Sequence, residues 1–179
     1  IGSDWVYGVD WIPLGDHKSA AAQGPIVVLC DGHGVGEAVA EALGATPVRS
    51  GSDLAQDGDS WVVDPTNADH LHQVMQAVKP ARVVYLWALD ADLATDPSTA
   101  AVDPCRGALH LIQAATKHYV SELIWVTQGA QGWRNDAVNL AHAPLWGLGQ
   151  VAAIELVDTR VMRVDLAPGK ADLPALIHL

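Results

Sequence analysis

The sequence predicts an α/β fold: a Rossmann-like, doubly wound and mostly parallel sheet with an N-terminal strand extension. Three observations carry that expectation. Short β-branched runs recur at Ile26–Cys30, Val83–Leu89, Leu123–Thr127 and Val161–Leu166. Helical patterns of about 10–15 residues separate them, which is the signature of βαβ units and hence of a parallel sheet covered on both faces. A glycine-rich turn, Asp31-Gly32-His33-Gly34-Val35-Gly36, follows the first of these runs. Right-handed crossovers then make the doubly wound arrangement the natural one.

Taken in order, Tyr7-Gly8-Val9-Asp10-Trp11-Ile12 alternates large apolar with small or polar residues and is closed by Pro13, as in a half-buried strand. Residues 14–25 are small and polar, so 1–25 divides off as an N-terminal strand and linker and 26–179 as the Rossmann-like subdomain. A helix is expected over Val35–Leu43, ended by Gly44 as a left-handed cap. Thr46–Arg49 and Trp61–Val63 are weaker strands. Asn67 or Asp69 caps a helix running to Val78, stopped by Lys79-Pro80. Val83–Leu89 is the strongest strand. An acidic loop over 90–103 leads to a helix over 104–119. After the strand Leu123–Thr127 and a loop at 129–135, Pro144 opens an apolar helix ending near Leu156. The last strand, Val161–Leu166, is closed by Ala167-Pro168-Gly169, and Asp172 begins a final helix. Ile1 is not a start Met and Leu179 falls inside a helical pattern, so the chain is expected to be part of something longer.

Composition narrows the function. Half of the 179 residues are apolar and 17% are charged, which is a globular profile. Phe is absent while Trp occurs seven times, so a few indoles supply the aromatic volume. Buried Trp usually seeks a partner for its N–H, which places several of them at the domain's edges. The net charge of −11, with ten Lys and Arg forming no run, speaks against nucleic acid and against an anionic membrane surface. Cys30 and Cys105 show no CxxC or metal spacing and, with no signal peptide or membrane span in view, the expected location is cytoplasmic.

The chemistry this fold usually carries fails its sequence tests. G-x-G-x-x-G started at Gly32 meets Glu37 at its third glycine, and started at Gly34 meets Val39. The G-x-x-x-G-x-G of short-chain dehydrogenases fits Gly32 and Gly36 and then meets Ala38. Asp31 and Glu37 bracket the turn with charge that opposes a pyrophosphate. The degenerate turn Gly32, Gly34, Gly36 is therefore expected to serve strand-to-helix geometry with no cofactor. Arg49 stands where a 2′-phosphate reader would stand, but a single Arg there is also an ordinary surface residue. A reductase Tyr needs Lys four residues on to lower its phenol pKa. Trp11, Leu89 and Leu123 occupy those places after Tyr7, Tyr85 and Tyr119. Thr127 and Ser121 then have nothing to assist, and no catalytic residue is assigned. No G-x-S-x-G elbow or phosphate-loop pattern occurs. His70 and His72, two apart on a helix, point to different sides and share no metal. The remaining histidines (His17, His33, His110, His118, His142 and His178) are expected to be isolated.

Three stretches have an odd composition: 85–92, 124–130, and Ala143-Pro144-Leu145-Trp146-Gly147-Leu148-Gly149-Gln150-Val151-Ala152-Ala153-Ile154-Glu155-Leu156. The small residues of the third would let another backbone approach, which nominates Trp146, Gly147, Gly149 and Ala152 for interdomain packing. Together with Tyr7-Gly8-Val9-Asp10-Trp11 and Met162-Arg163-Val164-Asp165-Leu166, these segments resemble, from residue 5 to 168, the structural subdomain of modular polyketide-synthase ketoreductases. The resemblance implies a degenerate, truncated short-chain-reductase fold without catalytic or cofactor residues. It implies a partner in the same polypeptide, a catalytic subdomain holding NADPH and reducing β-ketoacyl chains on an acyl carrier protein. An enoylreductase or methyltransferase domain inserted between the two halves is a further implied partner. Gln128 and Gln150 depart from the family, where Arg is the expectation. Two alternatives stand beside this: an autonomous, divergent NAD(P)-dependent oxidoreductase, and a non-enzymatic interaction domain outside polyketide synthesis.

Overall fold

A computed structural model describes residues 23–91, 96–132, 138–169 and 173–177. The strand expected at 7–13, His17 and His178 lie outside the described residues. One seven-stranded sheet organises the rest. Its strands are β1 (Ile26–Cys30), β2 (Thr46–Ser50), β3 (Ala55–Asp57), β4 (Ser60–Val63), β5 (Arg82–Tyr85), β6 (Glu122–Gln128) and β7 (Arg160–Leu166), in the order β3-β4-β2-β1-β5-β6-β7. All neighbours are parallel except β3, which pairs antiparallel with β4 at the edge. Counted without β3, the order is third, second, first, fourth, fifth, sixth, the arrangement of dinucleotide-binding sheets.

The helices are α1 (Val35–Leu43), α2 (Ala68–Val78), α3 (Pro97–Ala100), α4 (Val102–Lys117), α5 (Ala143–Glu155) and α6 (Leu173–Ile177). Alternation along each strand divides the core in two. Val27, Leu29, Val83, Leu123 and Trp125 face α2, α4 and α5. Val28, Cys30, Val84, Ile124 and Val126 face α1 and α6. Both faces of the central strands are therefore covered, which is why they read as unbroken apolar runs.

Local signals act as expected at most ends. Gly44 takes the left-handed conformation at φ 59° and closes α1. The Asn67 side chain accepts the Asp69 N–H at the start of α2. Lys79, a non-glycine, closes that helix at φ 50° because Pro80 forbids its continuation.

Three expectations needed correction. The run Val83–Leu89 is strand only to Tyr85, and Trp87–Asp90 winds into a 3₁₀ turn that packs Trp87 edge-on against Tyr85, ring centroids 5.8 Å apart. Apolar character reported burial there, and burial suits a buried turn as well as a strand. The helix expected from Pro104 starts at Val102, since a first-turn N–H has no helical partner and Pro is tolerated there. The polar strand β3 was missed entirely, because an exposed edge carries no apolar alternation.

At the amino ends of β5, β6 and β7, register places Arg82, Glu122 and Arg160 side by side. Arg82 Nε lies 2.5 Å from Glu122 Oε2, and Arg160 Nη1 lies 2.7 Å from Oε1. Arg82 and Glu122 are each 3% exposed, so this is a buried charge cluster.

Candidate functional site

The glycine turn sits where β1 delivers the chain to α1, beside the switch point between β1 and β5 at which α/β sheets bind ligands. Gly34 needs its φ of 92° to enter the helix. Gly36 is fixed by space: a Cβ there would lie 2.5 Å from Cys30 Cα. The amino end of α1 is already occupied. The Asp31 carboxylate accepts the N–H groups of Gly36 at 2.6 Å, His33 at 3.0 Å and Val35 at 3.4 Å. These are the donors that a helix end would offer a phosphate. Gly32 N–H is also taken, by Asp90 Oδ1 at 2.7 Å. Burial holds the Asp90 carboxyl above its usual range, and Asp31 adds to it by repulsion.

Arg49 is engaged as well. Its guanidinium grips Glu37 in two-point fashion, Nε to Oε1 at 2.5 Å and Nη2 to Oε2 at 2.8 Å, and donates to Ser60 Oγ. Glu37, the residue that breaks the glycine pattern, thus binds the residue nominated as a 2′-phosphate reader. Below the turn, a cavity of about 350 Å³ opens at the carboxyl ends of β2 and β5. Ser50, Pro65, Tyr85, Trp87, Asp90 and Asp103 are among its walls, and no Lys or Arg of the described residues lines it. Two carboxylates without a cation make poor surroundings for a dinucleotide.

The reductase residues fare no better. Tyr85 is fully buried, its hydroxyl donating to the Pro104 carbonyl at 2.6 Å, and burial pushes its pKa far up. Tyr119 is 89% exposed at the far end of the sheet, and Tyr7 lies outside the described residues. Thr127 Oγ1 donates to Asp165 Oδ1 at 2.7 Å. That carboxylate also accepts the Ala130 and Gln131 N–H groups at 2.9 Å, so it anchors the loop after β6. Ser121 immediately precedes β6, at the end of the sheet opposite the turn.

Not all histidines are isolated. His70 Nδ1 accepts the Asp64 N–H at 3.0 Å, and His110 Nδ1 lies 3.0 Å from the Pro65 carbonyl. His72 faces His118 with ring centroids 5.5 Å apart. Sequence spacing missed that contact because it joins α2 to the end of α4.

Helix α5 separates the four packing candidates. Gly147 is exposed and a Cβ there would touch nothing. Trp146 is half-buried beneath the Arg163 guanidinium, 5.3 Å from the ring centroid. Gly149 and Ala152 face inward, which corrects their assignment to an outer surface. A Cβ on Gly149 would lie 2.8 Å from Trp125 Cε3 and from Arg163 Cδ. Ala152 is 3% exposed in the core beside Trp125. Gly149 is small because β6 carries Trp125 beneath it. The outer face instead shows Val151 and Ile154, with Val157 just beyond, at 49%, 70% and 88% exposure. Near the start of the helix, Leu140, Pro144, Val102 and Cys105 line a shallow apolar groove. Gln150 accepts a hydrogen bond from Arg163, which an Arg at that position would repel.

The architecture and the occupied turn define a Rossmann-like α/β domain whose usual phosphate contacts are made internally. Over residues 9–178 the chain matches the family described as the Rossmann fold domain of polyketide synthase extender module SpnB, and it belongs to that family. Among solved structures it is similar to an adenylation, ketoreductase and pseudo-Asub multidomain structure of a keto acid-selecting NRPS module. There the TM-score is 0.73 and the identity 16%, over 88% of this chain and 15% of the other. An A-type ketoreductase from a modular polyketide synthase aligns with TM-score 0.59 and 23% identity, over 89% of this chain and 33% of that one. The UDP-glucose 4-epimerase of Thermotoga maritima aligns with TM-score 0.56 and 17% identity, over 73% and 52%. At these identities the structures share the fold, and this chain spans between about a seventh and about half of their length. No curated protein matches in sequence.

Proposed function

We propose that this domain is the non-catalytic structural half of a polyketide-synthase ketoreductase, stabilising and orienting an NADPH-dependent catalytic half of the same polypeptide. The observation that carries this is Asp31. Its carboxylate takes three N–H groups at the amino end of α1, where a cofactor pyrophosphate would otherwise bind. Inserting a dinucleotide would break those bonds and set its phosphates against buried charge.

The scaffold role is supported by α5. Its residues are apolar nearly all round, and a helix of that kind is usually buried on most of its sides. Its inner side meets β6 and β7, while Gly147, Val151 and Ile154 lie bare on the other. The catalytic half is the occupant proposed for that face, extending toward the groove at Leu140 and Pro144. Membership in a polyketide-synthase module family supplies the context, a chain in which further domains are covalently linked.

Two experiments test the reading. Calorimetric titration of NADPH into this chain is expected to stay silent to millimolar concentration, with a complete ketoreductase as the positive control. Micromolar binding would favour an autonomous oxidoreductase instead. In the parent reductase, Val151→Glu with Ile154→Glu is expected to cut ketoreduction at least ~10-fold, since two desolvated charges oppose docking. The same pair in the isolated chain is expected to leave Tm within the small range typical of surface substitutions. Full activity of the double variant would remove α5 from the interface.

A further inference from the structure

Docking surfaces work only if the helix that bears them is fixed to its own sheet. The start of α5 is fixed by two ties to the end of β6. Asn139 donates its N–H to the Gly129 carbonyl at 2.6 Å, and Gln128 donates its N–H to His142 Nδ1 at 3.0 Å. His142 is the cap residue of α5 and is 2% exposed. Pro144, Gly147 and Val151 follow it directly along the helix.

The hydrogen bond fixes the tautomer. Nδ1 receives an N–H, so it bears no proton, and the neutral ring carries its hydrogen on Nε2. Nε2 is itself buried without a hydrogen-bond partner among the described residues. A second proton can enter only at Nδ1, the atom that accepts from Gln128. Protonation and the Gln128 bond therefore exclude each other. The groups around the ring do not change this. From β7, Asp165 favours the cation, and the backbone of Ala88 in the 3₁₀ turn does the same. Desolvation outweighs both and holds the imidazole below its ordinary pKa.

We propose that His142 is a proton-sensitive pin: neutral, it locks the start of α5 to β6, and protonated, it releases the helix that carries the docking face. As regulation of that face, the inference rests on the proposed scaffold role, but the pin itself is a property of this chain alone. The sign follows from the depressed pKa. The tie is intact above about pH 6.5, the unfolded-state value, and its stabilisation is lost as pH falls from there through the lower folded value.

Hydrogen exchange of the Gln128 amide in the isolated chain is a direct readout, because that N–H is the one His142 accepts. After correction for intrinsic exchange, its protection and that of the first turn of α5 are expected to fall by roughly tenfold per pH unit once pH drops below the onset. His142→Gln offers a carbonyl acceptor that does not titrate, and is expected to flatten this dependence. Protection at the end of α4, next to His118, is expected to keep its own pH response in that variant. If His142→Gln does not fold, the imidazole nitrogen shifts of the wild-type ring serve instead. They are expected to show the Nε2–H tautomer at neutral pH and protonation concurrent with loss of Gln128 protection. A pH-independent Gln128 amide in the wild type, or an unaltered response in His142→Gln, would overturn the pin. Because no catalytic half is present in these measurements, failure of the docking proposal would leave their outcome untouched.

Discussion

Replacing Glu122 by Ala is expected to cost about 3–5 kcal/mol, the largest loss for any single truncation proposed for this chain. Glu122 lies between two guanidinium groups, Arg82 at 2.5 Å and Arg160 at 2.7 Å. The two Arg residues would not suffer equally. Arg160 is half exposed and can turn to water, so its share is small. Arg82 is 3% exposed on a central strand and would keep an unpaired charge inside the protein. Its Nη2 already finds no acceptor among the described residues, so little remains to compensate. Thermal or urea unfolding of Glu122→Ala against wild type measures the loss. Glu122→Gln, which keeps an acceptor but not the charge, is expected to fall between them. If Arg82→Met with Glu122→Leu recovers most of the stability, the cost lies in the orphaned charge, since an ion pair and its apolar isostere are often close in energy. A loss below about 1 kcal/mol in Glu122→Ala would mean that the cluster is solvated.

That cluster also marks where sequence reasoning stops. Strand, turn and helix signals are local, and they were legible: Ile26–Cys30, the Gly44 cap and the Asn67 cap need only neighbouring residues to be read. Arg82, Glu122 and Arg160 are 40 and 38 residues apart, and only strand register brings them together. The same holds for Glu37 with Arg49, and for His72 with His118. At the turn, the broken glycine spacing was visible in the sequence, as was the presence of Asp31. That its side chain folds back onto the helix amides was not, because nothing in the spacing tells a carboxylate that repels a ligand from one that replaces it. The helix α5 shows a different limit. Its apolar residues surround the axis, so periodicity gave no inner face, and the small residues were credited to an outside partner. Trp125 decides the matter, and its position under α5 depends on the packing of the whole sheet.

Gly149→Leu is the second large effect expected, and its contrast with Gly147→Leu separates the two sides of that helix. By helix propensity alone, both substitutions should stabilise, by somewhat less than the roughly 0.8–1.0 kcal/mol that separates Gly from Ala. At 149 that gain is overwhelmed. The new Cβ would stand 2.8 Å from Trp125 Cε3 and 2.9 Å from Cζ3, and Trp125 is 1% exposed, so the ring has nowhere to go. The helix must lift from β6, with a net loss of about 1–3 kcal/mol and lower protection throughout α5. At 147 an added Cβ finds nothing within 4 Å, so the isolated chain is expected to melt slightly higher than wild type. In the parent reductase the order of consequences differs in kind. Gly149→Leu should lower activity together with folded protein. Gly147→Leu should lower activity per folded molecule, through a bulge on the face proposed to meet the catalytic half. Paired measurements of Tm and of ketoreduction at equal folded concentration check both. A Gly147→Leu reductase of full activity would place the interface elsewhere on the domain, and a Gly149→Leu chain as stable as wild type would mean that α5 does not pack on Trp125.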